Sequence, residues 1–475
     1  MDISSLSFAI LAVLAGLIFY LIPRAYRISY LVALSCLFIA GFSVWLMLYM
    51  VAYTLFNFYT GKSIAADRPA RAAFYRLGIG VNLLQLALLK YHSFLIDPIF
   101  GWFHLDLTLE PLTAIILPLG ISFFTLQGIG YLINVYKGWE KPAEQLLPFS
   151  LYIFFFPKFL SGPVERSNRF LPQISKDLVF DHRNLTAGFQ LILSGFFKKA
   201  AISNQLGYFV NDVYANLGYY SGPTLWIVVL LQPIYLYFDF SGYTDMALGF
   251  ARLFGIRLTP NFERPFLAEN VSVFWRRFHM SLTNWFNDYI FKQVSFRYRR
   301  WGNYAPAFAV FLTFTLFGIW HGAGWQFMAL GFIQAAAINY EFFSKRQRTW
   351  LFSKANKFTK VWVGRIFTYS FYAFSLVFFF SPNLKTVGTF FRGLAVHSGS
   401  LRISQSKGEF IAAMGFAVIL LLLELYRNDF ELYFKSLAGY FEKNAYARYI
   451  LFYIMLAAVL YFYTGTANQF VYQQF

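Results

Sequence analysis

Long apolar stretches alternate with short basic interruptions along almost the whole chain. Residues 5–23 are apolar, and Arg24 and Arg27 follow them rather than precede them. A secretory signal has the opposite charge order, so this stretch reads as a retained helix with its N-terminus outside the cytoplasm. The apolar run from Ile28 to Tyr59 is too long for one span of about 20 residues. Two spans joined by a turn near Ala40–Ser43 put Arg24/Arg27 and the Lys62–Arg76 cluster on the same inner side, as the positive-inside bias prefers. Residues 77–95 then go out, Asp97–Glu110 form an outer loop, and 112–136 return to Lys137 and Lys141. Residues 146–160, broken by Pro148 and Pro157, read as a re-entrant segment whose backbone must be covered by protein or water. Residues 185–215 go out despite Lys198-Lys199, and 223–248 return to Arg252 and Arg257. Residues 266–300 carry too many arginines and lysines to span and read as in-plane or re-entrant helices on the inner side. Residues 304–320 and 324–343 enter and return to Lys345–Arg348. Residues 362–380 leave, 384–408 form an outer loop, 409–426 return, and 447–464 leave again, placing the last residues outside.

The pattern predicts an all-α integral membrane protein with about 11–12 transmembrane helices plus re-entrant or in-plane helices, in a single domain over 1–475. Composition agrees. Of 475 residues, 58% are apolar and only 13% charged, against about 45–50% and about 25% in soluble proteins, and the mean hydropathy is +0.50. A soluble enzyme, a disordered tail and a coiled-coil rod are excluded. The net charge of +18 would by itself invite nucleic acid. The charges fall in clusters between apolar runs, so the partner they imply is the lipid bilayer, not nucleic acid. The single cysteine, Cys36, excludes a disulfide framework and any cysteine-based metal cluster. There is no Walker lysine motif, H-E-x-x-H or dinucleotide fingerprint, and no metal site is expected.

Among six histidines, His92, His104, His182 and His397 lie at span ends or in loops. His321 sits between two apolar stretches, in Phe317-Gly318-Ile319-Trp320-His321-Gly322-Ala323-Gly324-Trp325. An ionisable residue at membrane depth is a functional candidate by default, and the glycines allow close approach of a substrate. A satisfied histidine in a helix-packing turn is the alternative. His279 lies in Phe274-Trp275-Arg276-Arg277-Phe278-His279-Met280-Ser281-Leu282-Thr283-Asn284-Trp285. With helical spacing its aromatics share one face flanked by Arg276 and Arg277. That suits either an interfacial helix on lipid headgroups or a site where arginine meets the phosphate of a cytosolic anion. Asp239 and Asp245 lie in a largely apolar span. They read either as polar lining of a cavity or as structural partners of Arg252, Arg257 or Arg264.

Six stretches occur in a characteristic order: Pro118–Gln127, Phe156–Pro163, Asp239-Phe240-Ser241-Gly242-Tyr243-Thr244-Asp245-Met246-Ala247, Asn261-Phe262, Phe274–Leu282 and Trp320-His321-Gly322-Ala323. With them the chain resembles the membrane-bound O-acyltransferase superfamily, in its bacterial alginate O-acetyltransferase-like branch, from about residue 5 to the C-terminus. The resemblance implies a funnel-like helical fold with a core over about 110–380 and a C-terminal span and extracytoplasmic tail over 447–475. His321 and His279 match the family's catalytic histidines. Asp239, Asp245, Trp320 and Asn284 are the candidates for lining a tunnel, and Arg276 and Arg277 for holding donor phosphates.

The activity implied is transfer of an acyl group, most simply acetyl, from a cytosolic thioester to a hydroxyl outside. No cofactor is bound; acetyl-coenzyme A or an acyl-carrier thioester is the donor substrate. The location implied is the bacterial plasma (inner) membrane, with both termini extracytoplasmic. The partners implied are an extracytoplasmic O-acetyltransferase and a cell-envelope polysaccharide. The end of the chain, Gln469-Phe470-Val471-Tyr472-Gln473-Gln474-Phe475, is similar to the tyrosine-containing end of the alginate branch, which makes Tyr472 an acyl-relay candidate; an aromatic anchor at the interface is the plainer role. Asn287, the Lys292–Arg300 run and Phe380 depart from that branch's usual residues, which bears on the acceptor and partner and not on the histidines. D-alanyl transfer from a carrier protein is the competing activity within the family. A secondary transporter or flippase is the competitor outside it, and would show inverted repeats.

Overall fold

The computed structural model describes residues 3–66, 69–103, 109–116, 119–220, 222–396, 401–403, 406–429 and 445–463. Among them all the regular structure is helical, with no β-strand. Helix α1 (Leu6–Leu21) starts at Ser5, whose side chain accepts from the Phe8 amide. Helices α2 (Arg27–Ala40) and α3 (Val44–Ala66) follow, with the break where Gly41-Phe42-Ser43 was expected to turn. Helix α4 (Arg71–Leu89) completes the N-terminal group.

The stretch expected to span as 112–136 is not one helix. A short turn of helix, Glu110–Ile116, is followed by α5 (Ile121–Lys137). The interruption falls at Gly120, which adopts a left-handed φ of 70°, a conformation that favours glycine. Helix α5 is buried on nearly every side.

Helix α6 (Leu146–Phe154) ends in irregular backbone that stays buried through Val164. Protein covers this segment, as its depth requires. The Lys158 ammonium is enclosed and donates to the Gln127 side chain and, at 2.6 Å, to the Tyr152 carbonyl. The Glu165 carboxylate accepts from the Thr259 amide at 2.5 Å and the Thr259 hydroxyl at 3.1 Å.

Helix α7 runs without a break through His182–Phe197, a π-helical Lys198–Ser203 and Asn204–Ala215. It packs along α8 (Pro223–Leu253) through two glycine pairs. A Cβ on Gly195 would lie 2.6 Å from the Gly242 carbonyl oxygen, and one on Gly249 would lie 2.7 Å from that of Gly188. Small residues thus let the two backbones touch, as in other membrane helix pairs. The lysines interrupting this apolar stretch are paired. Lys199 Nζ is 2.5 Å from Asp239 Oδ1, with Ser203 Oγ at 2.8 Å, and Lys198 Nζ is 2.7 Å from Asp245 Oδ2. The ion pairs of the two aspartates therefore come from α7, while Arg252, one of the partners expected, donates to Asn184 at 3.1 Å.

Residues 266–300 form short helices, including α9 (Val271–Arg277) and α10 (Met280–Phe286), none long enough to cross a bilayer. A hairpin of α11 (Tyr304–His321) and α12 (Trp325–Phe343) follows, then α13 (Lys357–Phe380). The expected outer loop 384–408 contains a helix, Leu384–Leu394, capped by the Asn383 side chain on the Thr386 amide. Helices α14 (Lys407–Asp429) and α15 (Ala445–Phe462) end the described chain. The Leu6 amide donates to the Tyr463 hydroxyl at 3.1 Å, joining the first helix to the last. Five described helices, α4, α8, α11, α13 and α14, are long and apolar enough to cross a membrane.

Candidate functional site

His321 is the last residue of α11 and is 5% exposed. Its ring is enclosed by Phe317, Trp320 and Phe379, with centroids at 5.0, 5.2 and 5.6 Å. A helix that ends inside a protein leaves carbonyls needing donors. Here the two residues that follow α4 supply them. Lys90 Nζ donates to the Trp320 carbonyl at 2.8 Å and to Ser122 Oγ at 2.9 Å, and the Tyr91 hydroxyl donates to the Ile319 carbonyl at 3.1 Å. A cation at a helix C-terminus also suits the helix dipole. Gly322 then continues in extended backbone. A Cβ there would run into the Phe327 ring.

His279 is fully buried and sits between α9 and α10 with φ of 48°. A left-handed conformation costs a residue other than glycine about 1–2 kcal/mol, so the surroundings must impose it. They do so through the segment before α9. The Met280 amide donates to the Asn261 carbonyl at 2.9 Å, and the Ser281 amide to Asn261 Oδ1 at 3.2 Å. The Glu263 amide donates to the Arg277 carbonyl at 2.9 Å, and the Val164 amide to Ser281 Oγ at 3.0 Å. Phe240 of α8 packs its edge against the imidazole at 4.6 Å.

Trp320 joins the two histidines. Its ring centroid is 5.9 Å from that of His279 and 5.2 Å from that of His321. Two imidazoles, far apart in sequence, thus meet around one indole inside the helical bundle. Such a pair can hold and move protons in an environment that excludes bulk water.

The other candidates fall elsewhere. Asn284 lies in the wall of a cavity of about 670 Å³ beside α10, with Ser281, Arg166, Arg169, Asp288 and Lys292. Arg166 donates to Asp288 at 3.1 Å and stands 4.4 Å over the Tyr289 ring. The wall presents three cations against one carboxylate. Arg276 is exposed and Arg277 half-buried at the end of α9. Asp245 lines a second cavity, and Asp239 is enclosed with Lys199. Tyr472, His104 and His397 lie outside the described residues.

Close to the basic cavity, Glu140 accepts from Ser167 Oγ at 2.6 Å and from Asn134 Nδ2 at 3.3 Å. Burial pushes its carboxyl up from 4.5 to about 7, against the lowering effect of those two bonds. The folded protein therefore keeps this proton up to about pH 7, whereas the unfolded chain releases it near 4.5. The resulting stabilisation is present below the lower value and is lost as pH rises through the higher one. Glu140→Gln is expected to flatten thermal unfolding across that window in detergent-purified protein; a variant with an unchanged pH profile would refute the assignment.

Lys90, Tyr91 and Asn261 are support residues that the sequence alone does not single out for this role. Lys90 carried a signal, a lysine inside the apolar stretch 77–95. Asn261 stands in one of the six ordered stretches, but its bonds to the His279 turn depend on tertiary approach.

The model of the MBOAT, membrane-bound O-acyltransferase family matches residues 144–382, which include both histidines. The chain is 34% identical over 342 residues to a probable alginate O-acetylase of Pseudomonas aeruginosa, covering 68% of this chain and 62% of that protein. It is 29% identical over 438 residues to a peptidoglycan O-acetyltransferase of Helicobacter pylori, covering 83% and 80%. It is also 29% identical over 356 residues to a teichoic acid D-alanyltransferase of Bacillus subtilis, covering 71% and 83%. The match to the Pseudomonas protein spans less than two thirds of that relative's length. With the family model over half the chain and both imidazoles inside the matched region, the chain belongs to the membrane-bound O-acyltransferase family.

Proposed function

We propose that this protein moves an acyl group, most simply acetyl, from a thioester on the cytosolic side to a hydroxyl of an extracytoplasmic polysaccharide or partner protein. The observation that carries this reading is the enclosed His279–Trp320–His321 cluster. His321 takes the proton of the acceptor hydroxyl as its oxygen attacks the thioester carbonyl. The new C–O bond replaces the C–S bond, and the proton leaves on the thiol. A positioned imidazole suits this task at ambient pH. His279, held in its strained turn, serves the thioester side of the pair. The donor's phosphates meet basic side chains: Arg276 and Arg277 at the end of α9, and Arg166, Arg169 and Lys292 in the wall of the cavity beside α10.

Bacterial inner-membrane vesicles containing the protein are expected to pass label from acetyl-coenzyme A to an envelope polysaccharide fraction. Vesicles that pass label only from a D-alanyl carrier thioester would instead support the reading drawn from the teichoic acid relative. Transport of an intact solute without acyl transfer would support the transporter reading.

Tyr472 is proposed as an acyl relay, its hydroxyl taking the group as an ester and handing it to an extracytoplasmic partner enzyme. Mass spectrometry of the C-terminal peptide after donor incubation is expected to show one added acyl group. A bare peptide under conditions that give product ends the relay idea and leaves Tyr472 an interfacial anchor.

A further inference from the structure

Among the described residues, two other than glycine take left-handed backbone, Arg264 and His279, both with φ of 48°. They flank one short run of pairing, in which the Met280 amide donates to the Asn261 carbonyl and the Glu263 amide to the Arg277 carbonyl, each at 2.9 Å. Left-handed backbone is costly for a residue with a Cβ, and it persists only where the surroundings over-determine it. The 259–264 segment on one side of this pairing is irregular backbone between α8 and α9. It has no helical bonds of its own to stiffen it, so its rigidity must come from a neighbour.

Glu165 supplies it. Its side chain is buried, and its two oxygens take the Thr259 amide at 2.5 Å and the Thr259 hydroxyl at 3.1 Å, two residues before Asn261. Glu165 is itself held, because its carbonyl accepts from the Tyr152 hydroxyl of α6 at 3.3 Å. The amide before it, that of Val164, donates to Ser281 Oγ at 3.0 Å. The bonds therefore close a ring: from Glu165 to Thr259, along the chain to Asn261, across to Met280 and Ser281, and from Ser281 back to Val164. On the other side of Thr259, Gln173 accepts from the Arg257 amide at 3.0 Å and donates to the Arg257 carbonyl at 3.1 Å, but at a contact open to solvent. Water competes for those bonds and does not reach the ones Glu165 makes.

We propose that Glu165 is a positioning residue for the reaction: through Thr259 and Asn261 it holds the His279 imidazole in its working placement. The assignment rests on the acyl-transfer reading and adds a residue that acts through the turn rather than on the reacting atoms.

The test uses the full-length protein. Glu165→Ala is expected to lower the rate of transfer from labelled acetyl-coenzyme A about 10–10²-fold, the cost of misplacing a reacting group by about an ångström. Glu165→Gln keeps both contacts, its amide oxygen accepting from the Thr259 amide and its NH2 donating to the hydroxyl, and should stay within about threefold of wild type. Loss of packing alone would slow the protein whether or not the imidazole is present. Loss of positioning would not, so in a His279→Ala protein Glu165→Ala should change the remaining transfer less than about twofold. Hydrogen exchange on the peptide holding residues 279–281 needs no activity. Its Met280 and Ser281 amides should exchange about tenfold faster in Glu165→Ala than in wild type, while the amides of α5 keep their rate. Should Glu165→Ala not accumulate, Thr259→Val, which deletes only the hydroxyl half of the contact, is expected to show both effects at about threefold. An equal proportional loss with and without the imidazole overturns the proposal, as does unchanged exchange at 279–281. Faster exchange there, in a protein that transfers no acyl group, leaves Glu165 as the brace of the turn and overturns the acyl-transfer reading instead.

Discussion

His321→Ala is expected to transfer acyl groups about 10²–10⁴-fold more slowly than wild type, the usual contribution of a positioned general base, while accumulating in the membrane at the normal level. The separation of activity from folding follows from how the residue is held. The turn at the end of α11 is fixed through backbone carbonyls, by Lys90 on Trp320 and Tyr91 on Ile319. Removing the imidazole leaves those bonds in place. What it leaves behind is a small void among Phe317, Trp320 and Phe379. Rates with labelled acetyl-coenzyme A, read beside the amount of the protein in the membrane fraction, check both halves. Near-normal transfer by a well-expressed His321→Ala protein would remove this residue from the chemistry.

Asp239→Ala should be among the most destabilising single changes in the chain. Lys199 is 3% exposed and Asp239 fully enclosed. Truncating the carboxylate strands an ammonium inside the bundle, and breaking a buried pair in this way costs about 3–5 kcal/mol. Replacing both partners with apolar residues of similar size removes the stranded charge as well as the attraction, and buried pairs replaced like this are often neutral or better. The Lys199→Met/Asp239→Leu protein is therefore expected to unfold well above Asp239→Ala in detergent thermal melts. A single variant as stable as wild type, or a double variant no better than the single, would show that the pair does not carry this energy.

Much of the architecture is readable from charge and length. The break between α2 and α3 falls where the basic clusters at Arg24/Arg27 and Lys62–Arg76 demand a turn. The covered, irregular backbone after α6 falls where Pro148 and Pro157 interrupt an apolar stretch. The interruption of 112–136 at Gly120 is not readable, because left-handed glycine leaves no trace in hydropathy. The lysine partners of Asp239 and Asp245 are not readable for a related reason. Arginines nearby in sequence were the obvious choice, whereas the lysines lie on another helix brought close by the glycine pairs. At the site, the two histidines declare themselves by motif. Trp320 as the group between them, Asn261 behind one and Lys90 behind the other are properties of long-range packing. No local pattern encodes them.

The bracing of α11 by Lys90 and Tyr91 sets the size of the smallest working unit. Both supports come from residues ahead of 144, while the region that defines the family runs from 144 to 382. An excised 144–382 fragment would keep both imidazoles yet lose the ammonium and hydroxyl that close off the end of their helix. In the folded chain the C-terminal end of α11 is docked against residues that follow a helix made far earlier in the sequence. Supplying the missing N-terminal helices as a separate polypeptide should restore what truncation removes.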